Sequence, residues 1–400
     1  MTDGTLTRNW QQRLTLKYGC NPHQQPAGIY SEAGRELPFR VLNGTPGYIN
    51  LLDALNAWQL VLELRAALGL PAAASFKHVS PAGAAVAVPL SPALAEVYEA
   101  QGRELSPAGL AYLRARGADP KSSFGDFAAL SDPVDEATAE LLKTEVSDGV
   151  IAPGYQGRAL EILKSKKGGG YVVLQGDPAF QPPQVEIKEV FGVVFAQRRN
   201  DVRLGPEHLA NRVTADKTLP PGAVRDLLLA AISVKYTQSN SVGYALDGQM
   251  IGVGAGQQSR VDCTRLAGRK AELWFLRQHP RVRGLAFKAD TRRVQRTNAR
   301  VRFLEGEFTP PEFADWAGNF DQPPPPLTPA EQQEWLAGLK GVSLASDAFF
   351  PFRDNIDQAA KRGVRYIVQP GGSVSDGEVI QACDAYGMAM AFSGVRLFHH

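Results

Sequence analysis

The sequence predicts an α/β fold, because short strand-like runs alternate with longer helical stretches along its 400 residues. β-branched and aromatic residues mark strands at 150–152, 171–174, 250–253 and 366–368. Helix-like stretches lie between them, at 54–68, 136–146 and 223–233. This alternation is typical of a layered fold in which helices cover a sheet.

A turn, a linker and a helix cap visible in the sequence support this order of elements. Three consecutive glycines at 168–170 indicate a turn. The proline run 322–327 can form neither a helix nor a central strand, so it predicts a stiff surface linker. It leads into 328–331, Thr-Pro-Ala-Glu, a capping box with proline at the first helical position. We expect that helix to end near Gly341.

A weak internal similarity relates two strand-then-polar-turn units, near residues 73–83 and 250–260. The chain is long enough for two ordinary domains or for one duplicated architecture. The similarity alone does not establish a duplication.

Composition excludes several classes of protein. Hydrophobic residues make up 44% and charged residues 21%, as in ordinary globular proteins. A net charge of +2 gives no bulk attraction to nucleic acid or to an anionic membrane, so neither is expected as a partner. Three widely spaced cysteines, Cys20, Cys263 and Cys383, indicate a reducing compartment. Without a signal-peptide pattern or a long apolar run, we expect a soluble cytoplasmic protein.

Lys77 and His78 form the most informative pair. They follow a run of small and apolar residues, and the next four residues, Ser-Pro-Ala-Gly at 80–83, predict a turn that exposes them. Ordinary pKa values of about 6.5 for histidine and about 10.4 for lysine let one take a proton while the other supplies charge or a proton. Taken alone, the pair also fits a buried structural histidine beside a surface lysine.

Six segments give the sequence a wider resemblance. They are 17–24 (KYGCNPHQ), 74–83 (ASFKHVSPAG), 122–127 (SSFGDF), 234–241 (VKYTQSNS), 346–355 (SDAFFPFRDN) and 396–400 (RLFHH). In this order the chain is similar, over nearly all its length, to the AICAR transformylase domain of the bifunctional purine biosynthesis proteins. That domain formylates 5-aminoimidazole-4-carboxamide ribonucleotide (AICAR).

The resemblance implies two tandem cytidine-deaminase-like units, at 1–195 and 196–400, with a helical and proline-rich insertion near 270–340. A deaminase zinc site needs H-x-E and P-C-x-x-C. His78 is followed by Val79 and Ser80, and the chain has no such cysteine pair, so we expect no zinc. The family usually carries an inosine monophosphate (IMP) cyclohydrolase domain ahead of this region. We expect that domain to be missing, because the transformylase motif begins at Lys17.

The implied reaction moves a formyl group from 10-formyltetrahydrofolate to the 5-amino group of AICAR. That amine is a weak nucleophile, so a base at the amine and a cation near the formyl group would both help. The resemblance assigns His78 as the base, Lys77 as the acid or electrostatic stabiliser, and Asn240 as the group that orients the amine or the carboxamide.

The remaining AICAR contacts are also implied by the resemblance: Lys17, Tyr18, Gly125, Asp148, Asn240, Arg260, Phe349 and Arg396. Lys17 stands where the family usually has arginine and lacks the bidentate fork. The glycine-bearing segment 254–259 before Arg260 fits either a phosphate-binding loop or a plain tight turn. Phe349 fits either a heterocycle contact or ordinary core packing.

The folate-side positions implied by the resemblance are Phe124, Pro351, Phe352, Asp354, Asn355 and Ser373. Lys121 stands where some relatives carry methionine. Thr237, Ser239, Ser241 and Asp347 lie in strings that form a monovalent-cation (K⁺) site in similar proteins, although their oxygens could equally cap local backbone. His23 has no assigned role. The lysine-rich run 164–167 predicts a solvated loop.

Three functions stay open at this point. The first is folate-dependent formyl transfer to AICAR in a homodimer, with a separate IMP cyclohydrolase consuming the product. Formylation of AICAR from formate and ATP is an alternative, although the sequence has no G-x-x-x-x-G-K-[ST] loop. A non-catalytic AICAR-binding sensor is the other.

Overall fold

The computed structural model describes residue 4 and residues 6–306 and 308–400. Fifteen strands lie in these ranges: β1 (Trp10–Leu16), β2 (Ala27–Glu32), β3 (Phe39–Asn43), β4 (Ala72–Lys77), β5 (Ser80–Val86), β6 (Asp126–Leu130), β7 (Ser147–Ala152), β8 (Val172–Gly176), β9 (Val185–Val190), β10 (Val193–Arg198), β11 (Val242–Leu246), β12 (Gln249–Gly254), β13 (Val342–Ser346), β14 (Val364–Gln369) and β15 (Ala389–Phe392).

Thirteen α-helices lie in the same ranges: α1 (Tyr48–Leu68), α2 (Pro92–Val97), α3 (Pro107–Ala118), α4 (Glu136–Thr144), α5 (Ala159–Lys164), α6 (Pro221–Lys235), α7 (Arg260–Leu276), α8 (Pro280–Arg283), α9 (Arg293–Glu305), α10 (Pro310–Ala317), α11 (Pro329–Leu336), α12 (Asp354–Ala360) and α13 (Asp376–Ala385). Short 3₁₀ turns occupy Lys166–Gly169 and Pro206–Leu209.

Eleven strands form one mixed sheet in the order β15-β14-β13-β11-β12-β5-β4-β6-β7-β8-β3. β6, β7 and β8 are parallel to one another, as are β13, β14 and β15, and the other neighbours are antiparallel. β1 with β2, and β9 with β10, form separate two-stranded ribbons. The α/β class predicted from the alternation is therefore confirmed.

The sheet contains the same strand arrangement twice. A hairpin (β4–β5, then β11–β12) is followed by a strand antiparallel to its first member and by two further parallel strands. The two copies meet where β5 and β12 pair at Ala85 and Gln249. The counterpart of β4 is β11, so the segments 73–83 and 250–260, which begin in β4 and β12, are not equivalent positions.

Helices cover both faces of the sheet. Ala74 and Phe76 of β4 pack into the apolar cluster that contains the buried sides of α1 and α6. Ala73, one residue away and so on the opposite face, packs into the cluster that contains α3. Burial on both faces explains why β4 is an uninterrupted run of small and apolar residues.

The helices between β12 and β13 have an apolar core of their own, with Trp316 and Phe303 at its centre. The predicted capping box is present at α11, where the Glu331 N–H donates to Thr328 Oγ1 at 3.2 Å. α11 ends at Leu336 and not near Gly341. Its last residues turn back, with the Gly338 N–H bonded to the carbonyl of Trp335, and lead into β13.

The other predicted strands and helices overlap β7, β8, β12, β14, α1, α4 and α6. Within the described ranges, no helix is both long enough and apolar enough to cross a bilayer.

Candidate active site

Most of the site residues predicted from the sequence lie at one edge of the large sheet, which we call the site edge. β4, β12, β13 and β14 end there, and β6, β7 and β11 begin there, as their pairing shows. The segments that form this edge are 77–80, 124–126, 147–148, 238–241, 254–260, 346–352 and 370–375.

The turn between β4 and β5 presents the central pair. Lys77 pairs with Ser80, so His78 and Val79 alone make the turn, with φ of 54° and 61°. The turn predicted at 80–83 is wrong, because those residues already belong to β5. The pairing of β4 with β5 also shifts register between Ser75 and Phe76. Two positive φ values favour glycine or asparagine, and a β-branched valine there is unusual.

Asp53 of α1 supports this turn. Its carboxylate Oδ1 accepts the Val79 N–H at 2.6 Å, and the side chain is buried. Burial raises the pKa of Asp53, while the backbone N–H groups of the turn and the charge of His78 act in the opposite direction. Sequence reasoning missed Asp53, whose position inside a helix gives no hint of a contact with a turn.

Lys77 points toward Gly125 and Asp148. Its ammonium donates to the carbonyl of Phe124. A β-carbon built on Gly125 would lie 3.6 Å from Lys77 Nζ and 3.9 Å from Asp148 Oδ2. These are ordinary van der Waals distances, so it is the φ of 72° at Gly125, and not a lack of space, that favours glycine at this point.

Lys167 anchors Asp148, with its Nζ 2.7 Å from Asp148 Oδ1. The prediction of a solvated loop at 164–167 is wrong at Lys166, whereas the other three residues are exposed. Lys166 is buried, donates to the carbonyl of Leu142 at 2.6 Å and lies 4.1 Å from the centre of the Tyr171 ring. Burial lowers the pKa of Lys166 to about 8.

A cleft of about 510 Å³ opens beside the turn. Its walls come from both halves of the sheet and include Lys77, His78, Ser80, Gln238, Gly256 and Lys270. A second cavity of about 310 Å³ shares Ser122, Leu266 and Lys270 with the first, and Lys121 and Arg269 also line it. The two cavities are therefore adjacent, and the second is lined by more basic than acidic side chains.

Asn240 and Arg260 lie together in a second cluster on the site edge. Both N–H groups of the Asn240 amide donate to backbone carbonyls, those of Gln257 and Gln258, at 2.8 and 3.0 Å. Asn240 Oδ1 accepts a hydrogen bond from Arg260 at 2.6 Å. Its second lone pair can still accept one hydrogen bond from a ligand. The charge of Arg260 is already paired with buried Asp347.

The proposed cation ligands divide in two. Thr237 and Ser241 donate their hydroxyls to carbonyls in α6, of Ser233 and Val234. Ser239 instead donates to Asp347 Oδ2 at 2.6 Å. Backbone capping thus accounts for two of the four side chains, as the alternative interpretation allowed.

The C-terminal segment is fixed against this cluster. The Leu397 N–H donates to the carbonyl of Asp347 at 2.8 Å, and the His399 N–H donates to Ser239 Oγ at 3.0 Å. Arg396, just before these two residues, is exposed and lies 4.8 Å from the centre of the Phe398 ring. Arg396 is therefore better placed than Arg260 to meet an anionic group arriving from solvent.

The folate-side residues follow β13 and β14. Phe349 and Phe352 expose 40% and 61% of their surface, which rules out ordinary core packing for both. Asn355 is buried and accepts from the Thr264 hydroxyl at 3.0 Å, so its contacts are internal. Pro351 and Asp354 flank Phe352, and Ser373 lies in the loop after β14.

Two groups of predicted residues lie apart from the central cleft. The carbonyl of Phe124 contacts Lys77, but its side chain lines a different small cavity beside α3 and α9. Lys17 and Tyr18 lie in the loop between β1 and β2, outside the large sheet. Lys17 is exposed and Tyr18 is half-buried.

The geometry defines an α/β protein with a doubled sheet, in which Lys77 and His78 lie at a turn with two positive φ values, beside a cleft large enough for a small polar ligand. Comparison with known proteins is consistent with this description. The sequence model of the AICARFT/IMPCHase bienzyme family matches residues 1–270, and the chain belongs to that family.

Three relatives are each named bifunctional purine biosynthesis protein PurH. Those of Roseobacter denitrificans and Magnetococcus marinus are 33% identical to this chain over 96% and 99% of its length, and that of Myxococcus xanthus is 31% identical over 99%. The matches cover 60%, 61% and 62% of the relatives. The chain thus spans about three fifths of the length of the curated relatives it matches.

Proposed function

We propose that the chain transfers the formyl group of 10-formyltetrahydrofolate to the 5-amino group of AICAR, giving formamido-AICAR (FAICAR) and tetrahydrofolate in purine biosynthesis. Family membership supports the reaction. The observation that carries it is the two-residue turn that holds His78 beside the cleft, next to Lys77, whose ammonium contacts the backbone of Phe124.

In the proposed reaction the amine nitrogen bonds to the formyl carbon, and the bond from that carbon to the folate nitrogen breaks. His78 takes the proton that the amine loses, and Lys77 supplies charge or a proton to the departing nitrogen. Asn240 accepts a hydrogen bond from the substrate through its remaining lone pair. Positioning two substrates in one cleft contributes much of the remaining rate enhancement.

Two features support a folate donor: the exposed aromatic side chains after β13 and the basic side chains of the second cavity. Phe352 offers an apolar surface for a flat heterocycle. Arg269 lines the second cavity, where its charge fits the anionic tail of a folate, and Lys121 lies in the same lining, paired with Glu305 at 3.5 Å. A monovalent cation beside Ser239 and Asp347 belongs to the same proposal.

The doubled strand order supports two cytidine-deaminase-like units, which we place at 1–195 and 196–400. The helices between β12 and β13 would then be the insertion near 270–340. We also propose that the enzyme is cytoplasmic. Formyl transfer between two weakly basic nitrogens has an equilibrium constant near one, so we propose that a separate IMP cyclohydrolase consumes the product.

Strand spacing supports a homodimer. Asp148 lies at the start of β7, and Phe349 follows β13. The family resemblance assigns both residues to the same AICAR molecule. Six strand intervals separate β7 from β13, which at about 4.8 Å each place them about 29 Å apart along the site edge. A second copy that contributes its own β13 end would complete the site.

The test is AICAR-dependent release of tetrahydrofolate by the wild type, Lys77→Ala and His78→Ala, with Lys164→Ala at an exposed lysine as a control. We expect turnover in the wild type and the control, and losses of about 10²–10⁴-fold in the two variants, with AICAR binding retained by calorimetry. No release by the wild type, with a cyclohydrolase present to withdraw the product, would refute the proposal. Formate with ATP would then be the donor to test, and binding without turnover would indicate a sensor.

A further inference from the structure

The turn that carries His78 needs support that its own sequence does not supply. Both turn residues have left-handed backbone angles, and Val79 is β-branched. Such residues persist in this region only where the surroundings hold them. The partner that the structure provides is Asp53, which accepts the Val79 N–H at 2.6 Å from inside α1.

The repeat supplies an internal comparison. Asp226 is the sixth residue of α6, as Asp53 is of α1, and its Oδ1 accepts the Gly248 N–H at 2.7 Å. Gly248 is the second residue of the β11–β12 turn, just as Val79 is the second residue of the β4–β5 turn. In both halves, therefore, a buried helix carboxylate caps the hairpin turn.

The two turns differ in sequence and in place. Asp247 and Gly248, with φ of 50° and 74°, form an Asp-Gly pair that adopts this turn readily. They lie at the edge opposite the site edge, because β11 begins at the site edge and runs away from it. Of these two turns, the one with the strained sequence is the one that presents a histidine to the cleft.

We propose that Asp53 is a positioning residue that fixes the His78 turn and thereby aims the imidazole into the cleft. The inference rests on the proposed function of His78 as the base. Asp53 does not line the cleft itself, so it acts through the backbone of the turn. Asp126 is the other carboxylate whose charge acts on Asp53, and it is itself paired with Arg116 at 2.7 Å.

The test compares Asp53→Ala with the control Asp226→Ala, which removes the equivalent bond at the opposite edge together with the ion pair of Asp226 and Arg225. We expect Asp53→Ala to lower kcat about 10–100-fold with little change in the KM for AICAR, because small displacements of a reacting group cost that much. Asp226→Ala should lower the unfolding temperature to a comparable degree and leave kcat within about twofold. Equal losses of kcat in the two variants would overturn the proposal.

Two further variants separate the backbone role from a general loss of structure. Asp53→Asn keeps an oxygen that can accept the Val79 N–H and should retain most of the activity. Val79→Gly removes the strain, so Asp53→Ala/Val79→Gly should recover about tenfold of the lost kcat. Absence of any recovery in the double variant contradicts an action through the turn.

A readout without turnover keeps this inference separate from the proposed function. The imidazole NMR resonances of His78 should broaden or split in Asp53→Ala and stay as in the wild type in Asp226→Ala. If the wild type releases no tetrahydrofolate but the resonances change as stated, the proposed function fails and the positioning role of Asp53 stands. Unchanged resonances in Asp53→Ala overturn the positioning role whatever the activity.

Discussion

A site completed by a second copy can be tested by mixing two inactive variants. His78→Ala removes the proposed base from the half of the site edge that contains Asp148. Arg396→Ala removes the exposed guanidinium from the other half, where the neighbouring Leu397 is bonded to Asp347 just after β13. The distance of about 29 Å between the β7 and β13 ends is the basis of our proposal that one substrate contacts the β7 end of one chain and the β13 end of another.

The expected recovery follows from counting sites. When equal amounts of the two variants combine at random in a two-fold dimer, about half of the dimers are mixed, and each of these has one intact site of two. Activity should therefore rise from near zero to about 25% of wild type. Tetrahydrofolate release from co-expressed, differently tagged chains measures it.

Mixing His78→Ala with Lys77→Ala gives the matched control, because both changes affect the same half of the site edge. Each mixed dimer then has a lesion at both sites, and no recovery is expected. A mixture of His78→Ala and Arg396→Ala that is no more active than its parents would refute the shared site. It would also mean that one chain brings β7 and β13 to a common ligand.

Three other predictions concern charges buried in the fold. Because burial lowers the pKa of Lys166, its side-chain NMR signal should titrate near pH 8, and a midpoint near the ordinary lysine value of about 10.4 would contradict the buried placement. Burial also lowers the pKa of His399, so the stability that neutral His399 contributes is present above about pH 6.5 and is lost as the pH falls through its lower pKa in the folded protein. Hydrogen exchange in the C-terminal segment, corrected for intrinsic rates, should therefore accelerate below about pH 6.5 in the wild type but not in His399→Asn. Lys235 pairs with Glu63 at 2.7 Å between α6 and α1, so Glu63→Ala should lower the unfolding free energy by about 3–5 kcal/mol in denaturant titrations, and Glu63→Leu/Lys235→Met should lower it less.

The sequence predicted those parts of the fold in which local pattern and burial agree. β4 is buried on both faces, and its small and apolar residues indicate that directly. The capping box at Thr328 works through contacts three residues apart, so it too is visible in the sequence. Features that depend on distant segments were missed: Lys166 is charged and belongs to a lysine run, yet contacts with Leu142 and Tyr171 bury it.

The site shows the same division. The identity of Lys77 and His78 as candidates came from the sequence, but the position of their turn did not. Ser-Pro-Ala-Gly has the composition of a turn, and His-Val does not. The structure turns at His78 and Val79 because Asp53 supplies an acceptor from α1, 26 residues earlier in the chain. Neither segment alone contains that information.

The doubled sheet explains why the repeat was nearly invisible in the sequence. Its two halves share backbone roles, namely a helix, a hairpin and three further strands, and these roles accept many residue types. At the hairpin turns the shared side chain is the helix carboxylate, Asp53 or Asp226, whereas the turn residues differ. The two hairpin turns thus share the requirement for a capping carboxylate and not for particular turn residues. The turn sequence can therefore differ between the halves, and one of the two turns carries His78.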